Sequence, residues 1–420
     1  MNVVKLISAS DTRAVNRLLT RDEGMDPTLA RRVAAIVADV RRGGDRALLA
    51  YARKFDALSG GIEISREEID AGARLAPASV RKALRVAARN IAAVAKAQVP
   101  RSGRVQVAPG VTIEQRVSAL GSVGCYVPGG RYPLPSSLLM TAIPARVAGV
   151  QDIIACCPRP EPVVLAAARE AGVTRLFRMG GAHAIAALAY GTATVPRVDK
   201  IVGPGNAYVA TAKALVARDC AIDFYAGPSE IVVVSTQGNP EWIAADLLAQ
   251  AEHDIDARAI LLTSSKRLAT QVHRALAAQA PADGPAREAL RRRGGIVLTR
   301  NARESIALAN RVAPEHLVVD DEATAREMNT AGAIFVGAYT AQAAGDYATG
   351  SNHVLPTNGA ARFRGGLSAA DFVRVSSVQT LSRAGLQRLA PSIIALANAE
   401  GLRAHAASIS IRLGKQKSSS

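Results

Sequence analysis

Aromatic side chains make up only 4% of the 420 residues, with a single tryptophan. Ala, Val and Leu fill the apolar half of the composition instead, which suits helices packed on buried strands and argues against an all-β sandwich. Cysteine is equally scarce. Cys125, Cys156, Cys157 and Cys220 show no CxxC spacing and two of them are adjacent, so neither a disulfide framework nor a thiolate zinc site is indicated, and the compartment reads as reducing. Long apolar runs are missing too. No stretch approaches the length that crosses a bilayer, and MNVVKLISASDTRAV is too short in apolar residues for a secretory signal. A cytoplasmic protein with no membrane partner is expected. The net charge of +17 comes from arginines spread through segments such as RRVAAIVADVRRGGDRALLAYARKF. That dispersal speaks against a nucleic-acid surface and for a general attraction of anionic cofactors.

What is present is α/β texture on a chain long enough for more than one domain. Residues 28–55 and 78–98 carry apolar positions at helical spacing. From about residue 117, short β-rich runs lead into glycines and then into helical patterns. Three such units stand out: VGCYVPGGRYPLPSSLLMTAIPARVAGV, TRLFRMGGAHAIAALAYG and VDKIVGPGNAYVATAKALVARD. Each reads as strand, glycine turn and helix, placing ligand groups at the carboxyl ends of parallel strands; none is GxGxxG, so each reads equally as a plain tight turn. The region after Gly366 reads as helices joined by short turns, and GKQKSSS as a disordered tail.

Only six histidines are available for chemistry. In DLLAQAEHD, Gln250 and His253 lie three apart on a predicted helix, which fits either a solvated face or half of a metal site. GDYATGSNHVLPT holds Asp346 and His353 in what reads as an irregular loop, where the acid serves a turn or a metal. RVAPEHLVV places Glu315 and His316 at the mouth of a strand; neighbours in an extended chain face opposite ways, so they share a site only if the backbone bends at Pro314. AEGLRAHAASISIR adds Glu400 and His405.

Taken together and in order, CYVPGGRYPLPSSLLMTAIPARVAGV, VDKIVGPGNAYV, AGPSE, DLLAQAEHD, APEHL, GDYATGSNHVLPT and EGLRAH resemble the histidinol dehydrogenase family, from about residue 25 to residue 412. The resemblance implies two Rossmann-like parallel-sheet domains, one inserted in the other, with a small helical C-terminal segment. It divides the chain into an N-terminal arm (1–20), a larger domain (21–124 with 229–370), an inserted NAD domain (125–228) and a segment reaching a partner subunit (371–420). It further implies one zinc per subunit on Gln250, His253, Asp346 and His405, and acid–base work by Glu315 and His316. Ser229, His353 and Glu400 would contact substrate together with the zinc ligands and His316, and Tyr126, His183 and Asn206 would contact NAD. His183 stands where the family pattern has glutamine, an imidazole that titrates near neutral pH in place of an amide that does not. The implied activity is oxidation of histidinol to histidine, the last step of histidine biosynthesis, in a homodimer with shared active sites. A related dehydrogenase of another small alcohol, such as a sulfonated diol, is the alternative; a zinc hydrolase and a non-catalytic nucleotide-binding protein are the alternatives of other classes.

Overall fold

The computed structural model describes residues 3–20, 26–129, 132–225 and 227–414. The Gly130–Arg131 part of the first glycine turn and the tail 415–420 lie outside them. The chain packs as two compact units, one of residues 1–98 with 121–372 and the other of 99–120 with 373–420.

The first unit holds two six-stranded sheets. Strands such as EIVVV and RAILLT, with the unbroken apolar runs IVVV and AILL, are buried along their whole length, the pattern of parallel strands covered on both faces. In the first sheet the order is Lys5–Ser8, Gly295–Leu298, Arg258–Thr263, Glu230–Val234, His316–Val319, Ala333–Val336. All of its pairings are parallel. Strand order therefore reverses beside Glu230–Val234. The residues expected to form a loose arm supply an edge strand and the helix Thr12–Leu19, because Val3, Val4 and Ile7 are buried in the cores on either side of this sheet.

The second sheet runs Glu63–Ile64, Arg175–Phe177, Asp152–Cys156, Ser122–Tyr126, Lys200–Val202, Ala221–Ile222. Its first pairing is antiparallel and the rest are parallel. Order reverses here beside Ser122–Tyr126, so a crevice opens at the carboxyl ends of that strand and Lys200–Val202. Helices Pro27–Asp56 and Ala78–Gln98 form where apolar spacing predicts them, the first with a break at Gly44. Their inward faces carry Val33, Val37, Val40 and Leu48 in one case and Leu84, Ala88 and Ile91 in the other.

The second unit contains an antiparallel sheet of Gly103–Ala108, Val111–Ala119 and Val373–Leu381, followed by helices Arg383–Ala399 and Arg403–Leu413. The stretch 371–420, expected to be helical, thus opens with a nine-residue strand. The hairpin 103–119 was legible in principle. Pro109-Gly110 supplies a turn with a positive φ, flanked by the alternating runs RVQVA and VTIEQRV.

Gly203 shows how tightly the second sheet closes around its switch point. Its φ is +116°, and a Cβ there would lie 2.2 Å from the carbonyl oxygen of Tyr126. Gly203→Ala should therefore cost about 1–3 kcal/mol from backbone strain alone, seen as a lower thermal midpoint. An unchanged midpoint would mean that the two strand ends separate freely.

Candidate active site

The candidate residues of the first unit gather where two strand edges meet. Tyr126, Gly203 and Asn206 lie at the carboxyl ends of the second sheet, as expected, whereas Ser229, Glu230, Glu315 and His316 lie at the amino ends of the first. The expectation of ligand groups at carboxyl ends thus describes one sheet and not the other. Cross-links tie the edges together: the Asn352 amide donates to the Met140 carbonyl at 2.7 Å, Gly227 N–H donates to Thr357 Oγ1 at 2.5 Å, and His353 Nε2 lies 3.4 Å from Ser137 Oγ.

The bend required for Glu315 and His316 to meet is present. Ala313 takes a left-handed conformation with φ 49° just before Pro314, and the strand begins only at His316. Gly332 and Ala333 donate to the carbonyls of Pro314 and Glu315, each at 2.9 Å. A Cβ on Gly332 would stand 2.6 Å from the Glu315 carbonyl, so only glycine allows this approach. Both side chains are buried. Glu315 Oε2 accepts the N–H of Glu230 at 2.8 Å, and His316 Nδ1 is 3.3 Å from the Glu230 carbonyl and 3.6 Å from Glu315 Oε2. A carbonyl only accepts, so Nδ1 carries a proton in either ionisation state and Nε2 is the position that gains or loses one. Nε2 is buried without a hydrogen-bond partner, 3.7 Å from Asp346 Oδ1. Burial pulls the imidazole pKa down, but the Glu315 and Asp346 carboxylates outweigh it and push it up to about 10.

Asp346 sits on the short helix Gln342–Tyr347, not in the irregular loop expected, because QAAGDY closes a helical turn before Gly350. Burial raises its pKa, yet His316, His353 and the Gln342 amide together hold it below the usual value. Gln342 donates to Asp346 Oδ2 at 2.7 Å, which leaves Oδ1 facing His316. His353 lies in the following loop, its Nδ1–H donated to the Asp346 carbonyl at 2.8 Å. Enclosure of that ring lowers its pKa against the pull of Asp346.

Gln250 is fully buried, and neither atom of its amide has a hydrogen-bond partner. Its helix, Pro240–Ala251, stops two residues short of His253, so the two do not share a helical face as expected. His253 is exposed in the bend that follows, its N–H 3.3 Å from the Gln250 carbonyl. Among the described residues no three His, Cys, Asp or Glu side chains are grouped to hold a metal. Of the expected zinc ligands the first unit contributes only His253 and Asp346 of those types, with the Gln250 amide as a further donor. The unpartnered Gln250 oxygen and the free Asp346 Oδ1 nevertheless fit a cation of oxygen and nitrogen preference. Glu400 and His405 belong to the second unit, Glu400 capping Arg383–Ala399 and His405 in the first turn of Arg403–Leu413, both exposed.

At the second sheet, the Tyr126 hydroxyl oxygen accepts the N–H of Gly181 at 3.1 Å, and burial pushes its pKa well up, so it remains a hydrogen donor. Asn206 is exposed and caps Ala207–Val216, accepting from Val209 N–H through Oδ1. His183 is buried, with Nε2 2.7 Å from Asp56. Ser229 is half-buried just before Glu230, and its carbonyl accepts from Arg258 N–H. Asp56, Asp223 and Gln342 carried no motif in the sequence, and Ser137 lay unremarked inside one; their parts emerge only from long-range contacts.

Two mostly parallel six-stranded sheets of Rossmann-like order, with a buried Glu–His pair at the strand ends of the first, define an α/β chain. The family model described as histidinol dehydrogenase matches residues 19–413. Proteins named histidinol dehydrogenase from Brucella abortus and Geobacter sulfurreducens are 47% and 46% identical, covering 91% and 94% of this chain and 92% and 96% of their own. A crystal structure of histidinol dehydrogenase from Elizabethkingia anophelis superposes with a TM-score of 0.93 at 34% identity, covering 98% of each chain. The chain belongs to the histidinol dehydrogenase family, a family of oxidoreductases.

Asp246, one helical turn before Gln250, is half-buried. Burial raises its carboxyl pKa from 3.8 to about 6. The fold therefore disfavours its charged form, a cost present in full above pH 6 and absent below the unfolded value. After allowance for solvent screening, Asp246→Asn should stabilise the chelator-treated protein by about 1–2 kcal/mol at neutral pH. The gain should vanish near about pH 4. Thermal midpoints across that range would show it, and a gain independent of pH would point to a cause other than ionisation.

Proposed function

We propose that the chain oxidises L-histidinol to L-histidine through the aldehyde, with NAD as oxidant and zinc as resident metal, in the cytoplasm. The observation that carries this reading is the buried Glu315–His316 pair with a free Nε2 facing Asp346, in a chain of this family. One alcohol, one water and two oxidised dinucleotides become one carboxylate, two reduced dinucleotides and three protons.

Gln250, His253 and Asp346 are the donors that this unit offers to zinc, with His405 as the fourth. Zinc bound there would supply a Lewis-acid anchor for the imidazole and amine nitrogens of the substrate. NAD, held with the help of Tyr126, His183 and Asn206, would supply the hydride acceptor. His316 takes the carbinol proton at Nε2 once a cation on Asp346 offsets the carboxylate charge that holds the ring protonated in the metal-free protein. Glu315 activates water on the aldehyde before the second hydride leaves. Its Oε2 is oriented by Glu230 N–H. Ser229, His353 and Glu400 orient the substrate, His353 through Nε2, which lies 3.4 Å from Ser137 Oγ while Nδ1 is held by the Asp346 carbonyl.

The decisive assay adds histidinol and zinc to the chelator-stripped protein and follows NAD reduction. Gln250→Leu serves as its partner variant. It removes a buried amide that has no partner, so the metal-free variant should be as stable as the parent or more so, by up to about 1–3 kcal/mol. Zinc should raise the thermal midpoint of the parent but not of the variant, and the variant should not reduce NAD. Equal stabilisation of both by zinc would remove Gln250 from the ligand set.

We also propose a homodimer in which the segment 371–420 of one subunit serves the site of the other. Asp346→Ala and His405→Ala chains, each inactive alone, are unfolded together and refolded as a mixture. Mixed dimers then hold one doubly damaged site and one with every ligand intact, so about a quarter of parental activity returns with random pairing. No recovery, with mixed dimers confirmed by mass spectrometry, would show that each site is built within one chain.

A further inference from the structure

Asp56 is an expensive residue where it stands. It is 8% exposed and is the last residue of Pro27–Asp56, at the negative end of that helix. A buried carboxylate in that position is disfavoured by desolvation and by the helix dipole alike. Its compensation comes entirely from the turn Gly180–Gly181, which opens the helix Gly181–Tyr190. One oxygen, Oδ2, accepts both the Gly180 N–H at 2.9 Å and the His183 Nε2–H at 2.7 Å. There it meets the positive end of the second helix. The His183 ring is clamped between this carboxylate and the rings of Tyr51 and Phe55, 6.0 and 6.2 Å away between centroids. With 2% of the residue exposed, the imidazole is committed to Asp56 and turned away from solvent.

The same turn also reaches the strand end at the switch point. Gly181 N–H donates to the Tyr126 hydroxyl oxygen, so the orientation of that hydroxyl depends on where the turn lies. Gly180 has no freedom to drift, since a Cβ there would lie 2.9 Å from Pro158. We infer that His183 and Asp56 form a positioning pair, which sets the Gly180–Gly181 turn and through it the Tyr126 hydroxyl for the dinucleotide. His183 thus acts on cofactor affinity without touching the cofactor. The inference rests on the reading of the second sheet as the dinucleotide site and gives His183 an indirect part in it.

A double-mutant cycle on the full-length protein tests it, with kcat and the KM for NAD read for His183→Leu, Asp56→Asn and the pair together. Each single change should raise the KM for NAD by about tenfold with a smaller change in kcat, and the double variant should be no worse than the worse single one. His183→Gln restores an N–H donor at the place of Nε2, so it should bring the KM back to within about twofold of the parent. Multiplying effects in the double variant, or a loss from His183→Leu with none from Asp56→Asn, would mean that His183 works independently of Asp56. If Asp56→Asn does not fold, the comparison of Leu with Gln at position 183 decides, and equal losses overturn the inference. A parent protein that folds yet never reduces NAD would sink the cofactor reading itself, and the inference with it.

Discussion

Two imidazoles are fixed by main-chain carbonyls, and the rest of the site is arranged around that fact. Glu230 holds Nδ1 of His316, and Asp346 holds Nδ1 of His353. Because a carbonyl cannot donate, each Nδ1 keeps its proton and Nε2 is the position of each ring that can change protonation, facing Asp346 in one case and Ser137 Oγ in the other. The carbonyls belong to residues whose other groups are also in use: Glu230 N–H orients Glu315, and the Asp346 side chain faces His316 Nε2. Backbone and side chain of the same residues therefore specify both the tautomer of a base and the charge beside it.

The two sheets carry the candidate residues at opposite strand ends, the first at amino ends and the second at carboxyl ends. Carboxyl ends of parallel strands open onto helix starts, with spare N–H groups, and amino ends onto helix finishes, with spare carbonyls. A ligand between them meets donors on one side and acceptors on the other. The carbonyl of Glu230 that holds His316 is the first of its strand, and Gln250 stands at the close of the helix that returns from that strand. The second sheet, with strands between residues 63 and 222, is inserted between Lys5–Ser8 and Glu230–Val234 of the first.

The sequence was most legible where a residue's environment is local. The helices Pro27–Asp56 and Ala78–Gln98 announced themselves through spacing, and the strands EIVVV and RAILLT through unbroken apolar runs. Glu315 and His316 were legible as a candidate pair, with the bend at Pro314 as the condition, and the left-handed Ala313 supplies it. Legibility failed where a partner lies far along the chain. The edge strand Lys5–Ser8 is a strand because Gly295–Leu298 pairs with it, and nothing within its own four residues says so. Asp56 falls one residue past the helix read at 28–55, with nothing local to mark it, and its partner His183 lies 127 positions away. His253 shows the opposite failure, in which a local rule was extended past a helix end at Ala251 that periodicity does not mark.

Carboxylates recur as caps on the turns of the first unit, and this bears on how an anionic ligand would be met. Asp56 takes the Gly180 N–H, Asp223 takes that of Gly203, and Asp199 takes those of Gly121 and Ser122. Lys213, buried beside Asp223, neutralises it and also donates to the Gly203 carbonyl. Amide groups that a glycine turn ordinarily leaves for a phosphate are thus already used at Gly180 and Gly203. Each such carboxylate is closer to the turn than any incoming anion can be, so these turns serve as rigid floor and not as phosphate cradle. On the proposed reading, affinity for a dinucleotide comes from side chains on that floor, such as Tyr126 and Asn206, and from the long-range field of a chain carrying a net charge of +17. A field of that kind draws an anion toward the cleft but cannot orient it. Orientation is left to the few polar groups that the turns hold in place, which is why the stiffness of the turns matters more than their own hydrogen-bonding capacity.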